Sequence, residues 1–531
     1  MEKLPPETVD IIGSHLGYPD WCALRLTCKI IYQLSSSLFA RRYFQCVSVI
    51  LTREAIAELE DLTLNESFRN EVKELSLIPQ VFGDYGVDLD AFTSILHLCV
   101  LESQQWTAKE VQAQYAIYVA AETDHLAFAE SASLVRSLTR CLSRMRNVST
   151  IGLRAYPSQR LCKEKSPHVC LGRRALQERL PFGPCAQLLV SSARRSDDPS
   201  PSMRRVVWDM WVDIRHPVWT KGLTSLLEAM CAVSPPLAVQ RLYTCLTEDE
   251  FAVPPDCFTL SQHLYHSLQP ILHVLVDLDI CLGPPKPEDT AESLHCLVIR
   301  AAPNLQILRL TLWDQFHDLS PDHFTNLAQQ VQFTRLSELH LHWVELTIPG
   351  FQLFLRTAAP TLKVLTLVAV SLNGPVPVAR RPAPEIHEAI STVWRGFLNT
   401  LRDTIPTIRF LRMLELAYRQ NTIRVTDPSR KTTIVPRGSR IVDKSARGIF
   451  YNINTRMSFA EWIDQLELSP QYDYFMLFRL PRHRGMLIVC ATLRPLTITN
   501  HDGSHYSVFQ RYNRLSISNA PSSSYVAGIW G

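Results

Sequence analysis

One spacing of leucines recurs along the 531-residue chain and limits what it can fold into. Four segments repeat the pattern Leu-x-x-Leu-x-Leu, and they are LQILRL (305–310), LSELHL (336–341), LKVLTL (362–367) and LRMLEL (411–416). The second and third leucines of each segment alternate, which predicts a short β-strand that turns one face towards a hydrophobic core. Weaker copies of the pattern lie at 72–77, 148–153 and 272–280. We therefore expect several short strands that share one core.

Segments with helical periodicity lie between these strands. DHFTNLAQQVQF precedes the second strand, GFQLFLRTAAP the third and EIHEAISTVWRGFLNTL the fourth. This alternation predicts an α/β fold, and the strands resemble those of leucine-rich repeats. The intervals of 31, 26 and 49 residues are irregular, so the resemblance implies an irregular leucine-rich-repeat solenoid with insertions. The alternative is an ordinary α/β domain with leucine-rich strands.

A solenoid of this kind exposes the strand residues that lie between the leucines, and such surfaces bind other proteins. Alternation along the strands places Arg309, His340, His342 and Thr366 on that face. We expect these four side chains to contribute to the binding of a protein target.

The N-terminal stretch LPPETVDIIGSHLGYPDWCALRLTCKIIYQL (4–34) predicts two or three short amphipathic helices. Pro5 and Pro6 fit the start of the first helix, where a missing N–H has no partner to lose. The Gly-Tyr-Pro sequence at 17–19 ends that helix, and Asp20 is the predicted N-cap of the second. A segment of this length buries too little surface to fold alone. Its apolar faces therefore need the rest of the chain or a partner.

This stretch resembles an F-box over residues 4–44. The family pattern opens with Leu-Pro-x-Glu, continues through spaced aliphatic residues to Ser-His-Leu, and then has Asp followed by leucine-rich residues up to a Cys. The matching residues are Leu4, Pro5, Glu7, Val9, Ile12, Ser14, His15, Leu16, Asp20, Leu24, Leu26 and Cys28. Gly13 stands where an aliphatic residue is usual, and Trp21 stands where leucine is usual.

The resemblance implies a partner, because F-box modules bind a Skp-type adaptor and thereby join a cullin-based ubiquitin ligase. Short amphipathic helices can lie in an apolar groove of such an adaptor. The predicted adaptor contacts are Leu4, Pro5, Ile12, Leu16, Leu24 and Leu26. Gly13 and Trp21 are the positions where this docking surface is expected to be weaker or differently shaped. The alternative is that the helices pack only on their own chain.

Three parts of the chain are distinguished by their composition. Residues 1–45 form the F-box-like helical module, and residues 46–420 form the irregular α/β body. A segment rich in Pro, Ser and Arg near 155–221 is a predicted insertion in this body. The leucine spacing stops after residue 420, and residues 421–531 contain strand-like runs, one amphipathic helix and a loose tail. Their fold is unassigned, and a cap on the body is one possibility.

Familiar catalytic and metal-binding motifs are absent from the sequence. It has no phosphate-binding Gly-rich loop and no Gly-x-Ser-x-Gly nucleophile elbow. His263 and His266 could share one face of a helix but lack an evident third ligand. The densest thiol–imidazole cluster lacks the paired spacing of structural zinc sites, and it consists of Cys162, His168, Cys170 and Cys185. We therefore expect no catalytic residue, no cofactor and no metal.

Charge and hydropathy narrow the choice of partner and compartment. Residues 136–221 have 17 basic and 6 acidic side chains, and their arginines fit nucleic-acid phosphates. A solvated surface explains them as well, so no nucleic acid is expected. No apolar run is long enough to span a membrane, and no signal peptide is visible. Fourteen scattered cysteines fit reduced thiols in the cytosol or nucleus.

These features together predict a substrate-receptor subunit of a Skp–cullin–F-box ubiquitin ligase. The N-terminal helices would bind the adaptor, and the body would hold an unidentified protein target near the ubiquitin donor. One alternative is a scaffold that binds the adaptor without directing degradation. The other is an enzyme whose site is built from residues distant in sequence. A deep pocket with close titratable groups would favour an enzyme, whereas a broad open face would favour binding.

Overall fold

The structure, a computed structural model, describes most of the chain. The described residues are 6–79, 81–82, 88–90, 92–93, 106–154, 169–180, 217–244, 253, 255–282, 292–312, 323–373, 384–414, 416–418, 421–427, 432–433, 449–453, 457–470, 497–499 and 505–507. The chain divides into two compact units, Met1–Gln471 and Tyr472–Gly531.

The described residues contain fifteen α-helices and nineteen strands. The helices are α1 (Pro6–Ser14), α2 (Tyr18–Thr27), α3 (Lys29–Tyr43), α4 (Arg53–Leu64), α5 (Glu66–Arg69), α6 (Ala108–Ala129), α7 (Ala132–Arg144), α8 (Arg173–Arg179), α9 (Pro217–Ala232), α10 (Gln262–Leu272), α11 (Glu292–Ala301), α12 (His323–Gln330), α13 (Ile348–Ala358), α14 (Pro384–Thr404) and α15 (Phe459–Gln465). The strands are β1 (Cys46–Ile50), β2 (Glu74–Ile78), β3 (Thr150–Leu153), β4 (Val169–Leu171), β5 (Arg241–Tyr243), β6 (Asp277–Leu282), β7 (Ile307–Leu312), β8 (Glu338–His342), β9 (Glu345–Thr347), β10 (Val364–Val368), β11 (Ser371–Asn373), β12 (Phe410–Leu414), β13 (Ala417–Tyr418), β14 (Asn421–Asp427), β15 (Thr432–Thr433), β16 (Ile449–Asn452), β17 (Glu467–Pro470), β18 (Thr497–Thr499) and β19 (His505–Ser507).

Eleven strands form one large sheet in the order β16–β12–β10–β8–β7–β6–β5–β3–β2–β1–β4. Neighbouring strands are parallel, except that β16 is antiparallel to β12. With β4 left aside, each strand of the large sheet from β2 to β12 lies beside the strand that precedes it in the chain among the strands of this sheet. The predicted α/β fold is therefore confirmed, with a mostly parallel sheet and helices in the connections.

Leucines of neighbouring strands align in rows on one face of the large sheet. One row pairs Leu308, Leu339, Leu365 and Leu411, and all four are fully buried. Apolar side chains of helices α10 to α14 belong to the same buried cluster as these leucines. The helices therefore cover the leucine face, and alternation sends the intervening residues to the opposite face.

Strand β12 corrects the position predicted for the fourth leucine segment, 411–416. In the structure Leu411 pairs with Leu365, which makes it the second position of the pattern. Ile408 then takes the first position and Met413 the third, and both are buried. The pattern begins three residues earlier than predicted, because Ile and Met replace leucine at two of its three positions.

Short strands follow three strands of the large sheet and form a second sheet, in the order β15–β14–β13–β11–β9, with β17 also paired to β14. Trp343 lies between β8 and β9, and Ala369 lies between β10 and β11. Both have positive φ angles, 60° and 52°. The left-handed conformation at the same point of successive connections turns the chain from the first sheet into the second.

The start of helix α2 differs from the prediction. Asp20 was expected to be the N-cap, but α2 begins at Tyr18 and has Gly17 as its N-cap. Pro19 lies within the first turn, where its missing N–H leaves no hydrogen bond unmade. Pro19 is therefore part of α2 and does not end the segment before it. Asp20 lies in the first turn of α2.

Two regions without leucine spacing also contribute to the fold. Within 155–221, residues 169–180 form β4 and α8, and β4 pairs with β1 at the edge of the large sheet. Near the C-terminal end of the first unit, β16 pairs with β12 at the opposite edge. The predicted amphipathic helix is α15, which buries Phe459, Trp462 and Ile463. In the second unit, β18 pairs with β19 in antiparallel fashion.

Candidate functional site

The N-terminal helices α1, α2 and α3 pack around one tryptophan. Trp21 is 1% exposed and lies in a buried cluster with Phe39 and Tyr43. Its ring centroid is 6.1 Å from that of Phe39. Tyr18 adds its ring to the same aromatic group, 5.1 Å from Tyr43. This cluster is the small core of the helical module.

Gly13 and Trp21 fit each other closely. A Cβ atom on Gly13 would lie 1.7 Å from Cζ2 of Trp21, so only glycine leaves room for the indole ring. The indole N–H donates to the Gly13 carbonyl at 2.7 Å, and Arg42 donates to the same carbonyl at 2.6 Å. The two departures from the F-box pattern therefore belong together, because the larger residue on α2 fills the space of the smaller one on α1.

Large apolar side chains remain exposed on the outer faces of the module. Leu26 is 85% exposed and Ile11 is 63% exposed. The other exposed members of this surface, which we call the apolar surface of the module, are Ile12, Tyr18, Ile30 and Tyr32. Six exposed side chains of this size within about twenty residues make this the candidate surface for a partner, since exposed apolar patches mark such sites.

The predicted adaptor contacts fall into three groups. Ile12 and Leu26 belong to the apolar surface. Leu16 and Leu24 are half-buried, and Leu16 packs against the Trp21 cluster. Their contact with an adaptor stays a prediction. Leu4 and Pro5 lie outside the described residues.

An aromatic seam joins the helical module to the body. Phe44 follows α3, and its ring lies 4.7 Å from that of Phe68 on α5. The Arg25 guanidinium lies 4.0 Å above the ring of Phe39 and 5.7 Å from that of Phe68. Val169 of β4 packs against the same cluster. The inserted segment therefore takes part in holding the module on the sheet.

The polar face of the large sheet lies opposite the leucines. One row of this face crosses nine strands, from β1 to β12, and we call it the polar row. Its members, in spatial order, are Ser48, Ser76, Gly152, Tyr243, Asp279, Arg309, His340, Thr366 and Arg412. Three predicted target-binding residues, Arg309, His340 and Thr366, thus lie on adjacent strands. His342 pairs with Thr311 and Val368 in the next row.

Charged side chains at the middle of this face form a group that we call the ion cluster, made of Arg241, Asp277, Asp279 and Arg309. Asp277 accepts from Arg309 at 2.5 Å and lies 3.4 Å from Arg241. Asp279 contacts Arg241 through Oδ2 at 3.4 Å. Asp279 is 3% exposed, and this burial raises the pKa of its carboxyl to about 6, against the opposing effect of both guanidinium groups.

The surroundings of the two histidines on β8 lower the pKa of both and so favour the neutral form. Burial lowers the pKa of His340, although Glu338 at 3.4 Å partly opposes this. Burial and the positive charges of its neighbours lower the pKa of His342 to about 4. Both imidazoles can therefore donate and accept hydrogen bonds on this face without carrying charge.

Because residue 152 is glycine, a side-chain hydrogen bond can pass over β3, one of the strands that the polar row crosses. A Cβ there would lie 2.5 Å from the ring of Tyr243. The Tyr243 hydroxyl reaches over β3 and donates to Glu74 of β2 at 2.7 Å. Burial and the nearby Glu74 carboxylate raise the Tyr243 pKa well above its usual value, so the phenol remains a donor.

The sequence analysis did not predict the ion cluster, although the sequence indicates the position of two of its members. Asp277 and Asp279 alternate with apolar residues in the weak leucine segment 272–280, which places them on the polar face. Arg241 belongs to a strand of three residues without a leucine pattern. Only the register that pairs it with Asp277 brings the cluster together.

The other candidate sites are supported by fewer observations. Among the described residues, no three His, Cys, Asp or Glu side chains are grouped as around a metal ion. His263 and His266 lie on α10, Cys170 lies on β4, and the other members of the thiol–imidazole cluster are outside the described residues. A small pocket near the N-terminus of α4 is lined by Glu54, Asp124 and Arg179, among others. In the described part of the chain, no helix is long and apolar enough to cross a membrane.

Comparison with known proteins does not identify a family for this chain. No family model matches the chain, and no curated protein matches it either.

Proposed function

We propose that this chain is a substrate receptor of a Skp–cullin–F-box ubiquitin ligase. The observation that carries the proposal is the apolar surface of the module. It lies within the stretch that resembles an F-box, and its most exposed member, Leu26, matches the family pattern. Leaving six large apolar side chains in water is unfavourable, and an apolar groove on an adaptor would bury them.

The fold of the body supports the second half of the proposal, in which an irregular leucine-rich-repeat solenoid holds the target. Strands add to the large sheet in chain order, and their leucines align in buried rows. The left-handed residues Trp343 and Ala369 recur at equivalent points. These features are those of stacked strand–helix units, whose free strand face is suited to protein binding.

The polar row is the proposed target-binding face. Arg309, His340, His342 and Thr366 lie within two adjacent rows of it, and Arg241 and Glu338 keep about a third of their side-chain surface exposed. Both charged and neutral hydrogen-bonding groups lie along this row. Such a surface selects partners by complementary polar contacts more than by apolar area.

In this role the chain supplies position rather than chemistry. The module binds the adaptor, the seam of Phe44 and Phe68 holds the module against the body, and the body holds the target. A target held close to the ubiquitin donor reacts at a high effective concentration. The chain works in the cytosol or nucleus, in keeping with the free thiols of all its described cysteines.

Co-purification with a Skp-type adaptor tests this function. Leu26→Asp places a charge on the most exposed member of the apolar surface. We expect it to reduce adaptor affinity by about 100-fold or more, because a buried unpaired carboxylate strongly opposes binding. Leu64→Asp is the matched control, since Leu64 is 62% exposed on α4, outside the module. Equal adaptor recovery from both variants would contradict the proposal.

A further inference from the structure

The ion cluster on the polar face leaves two of its four charged groups incompletely satisfied, because Oδ1 of Asp279 and Nε of Arg241 have no hydrogen-bond partner among the described residues. Asp277 interacts with both Arg241 and Arg309. Among the described residues, the Asp279 side chain pairs through Oδ2, at 3.4 Å from Arg241. Its Oδ1 atom is buried and accepts no hydrogen bond from the described residues. A buried carboxylate oxygen without a donor is unfavourable, so this atom has capacity for a further contact.

A group on the target-binding face reaches Asp279 past Arg241, because the Asp279 side chain itself is only 5% exposed. Asp279 lies in the polar row between Tyr243 and Arg309. The side chains of Arg241 and Arg309 are 33% and 27% exposed. The 3.4 Å distance between Arg241 and Asp279 is near the limit for a hydrogen bond. A group that enters beside Arg241 can displace this weak contact and reach the carboxylate.

The balance of charge in the cluster selects the kind of group that can enter. Two carboxylates and two guanidinium groups lie side by side, so the cluster offers hydrogen-bond acceptors and donors with no net charge. An anion would meet Asp277 and Asp279, and a cation would meet Arg241 and Arg309. A primary carboxamide is neutral and has a donor NH2 and an acceptor oxygen on one carbon. It can therefore pair with both kinds of group at once.

We propose that the ion cluster recognises a carboxamide side chain, Asn or Gln, on the target protein. The amide NH2 donates to Oδ1 of Asp279, and the amide oxygen accepts from the guanidinium of Arg241. This inference rests on the proposed role of the polar row in target binding, and it names the residue type that the row selects.

Degenerate peptide libraries with one fixed central residue test the inference on the full-length chain. The central residue is Gln, Asn, Lys, Glu or phosphoserine in separate pools. We expect the Gln or Asn pool to bind about tenfold more strongly than the charged pools, since a site built to pair with polar groups rejects ligands that leave them unpaired. Asp279→Leu should abolish this preference, and Asp279→Asn, which keeps a weaker acceptor, should reduce it.

The control is Asp403→Asn, because Asp403 is exposed and pairs with Arg402 away from the polar row. It should leave the preference unchanged. Preference for the Lys, Glu or phosphoserine pool, no preference among the pools, or an unchanged preference in Asp279→Leu would each overturn the inference. Adaptor co-purification is measured separately on the same variants. Failure of the wild-type chain to bind the adaptor would therefore contradict the proposed function. The carboxamide preference is decided by the peptide libraries alone.

Discussion

At the scale of single residues, Gly13 and Trp21 show how one departure from a family pattern can compensate another. The indole ring occupies the volume that an aliphatic side chain at position 13 would fill. The hydrogen bond from the indole N–H to the Gly13 carbonyl then fixes α1 against α2. Both residues are buried, so their contact joins the two helices inside the module.

Replacing Gly13 with Ala should therefore destabilise the helical module. Ala favours a helix by about 1 kcal/mol, but its Cβ would overlap the Trp21 ring, and overpacking of this kind costs about 1–3 kcal/mol. The second substitution Trp21→Leu should restore part of the stability, because the smaller side chain frees the space. Thermal unfolding of the chain and its susceptibility to proteolysis within residues 6–43 measure the change in stability. Additive losses in the double variant would show that the two residues do not depend on each other.

Asp279 gives a pH-dependent prediction. Its pKa of about 6 in the folded chain is above the ordinary value of 3.8, so its contribution to stability is complete below pH 4 and is lost as the pH rises through 6. Asp279→Asn removes the ionisation and should raise the free energy of unfolding at pH 7.5 by roughly 1–2 kcal/mol. The difference from wild type should shrink at pH 5. Urea denaturation at the two pH values measures it, and a destabilised variant at pH 7.5 would contradict the assignment.

At the scale of elements, the sequence predicted the strands better than their positions. Alternating leucines located β7, β8 and β10, because each buried leucine of these strands takes part in the same rows. The position of β12 was wrong, since Ile408 and Met413 carry the pattern there without leucine. Asp20 was wrong as an N-cap because the proline at 19 fits inside the first turn. Both predictions relied on residue type, whereas side-chain size and backbone geometry determine these two positions.

The turn between β10 and β11 offers a test at this scale. Ala369 has a φ of 52°, a conformation that costs an L-residue about 1 kcal/mol and costs glycine nothing. Ala369→Gly should therefore raise the thermal unfolding midpoint by a few degrees. Ala113→Gly, at an exposed position within α6, is the matched control and should lower it, because glycine is unfavourable inside a helix by about 1 kcal/mol. A loss of stability in both variants would contradict the left-handed turn.

At the scale of the whole molecule, the fold class and part of the polar face could be predicted from sequence, and the ion cluster could not. Arg309 and His340 were placed on one face by alternation within their own strands. Arg241 and Asp277 lie 36 positions apart in the sequence, and their contact depends on the register between β5 and β6. That register is set by the packing of whole strand–helix units, which local spacing does not encode.

The adaptor and the target should bind different parts of the chain. The apolar surface of the module belongs to helices α1 to α3, and the polar row belongs to the large sheet. Occupying the first surface should therefore leave the second free for a target, which is what a receptor requires.

Hydrogen–deuterium exchange of the full-length chain, with and without a Skp-type adaptor, tests this account most directly. We expect the adaptor to slow exchange in α1 (Pro6–Ser14) and α2 (Tyr18–Thr27), which carry Ile11 and Leu26, while exchange in β6, β7 and β8 is unchanged. Unchanged exchange in both helices, or protection confined to the strands of the polar row, would contradict it.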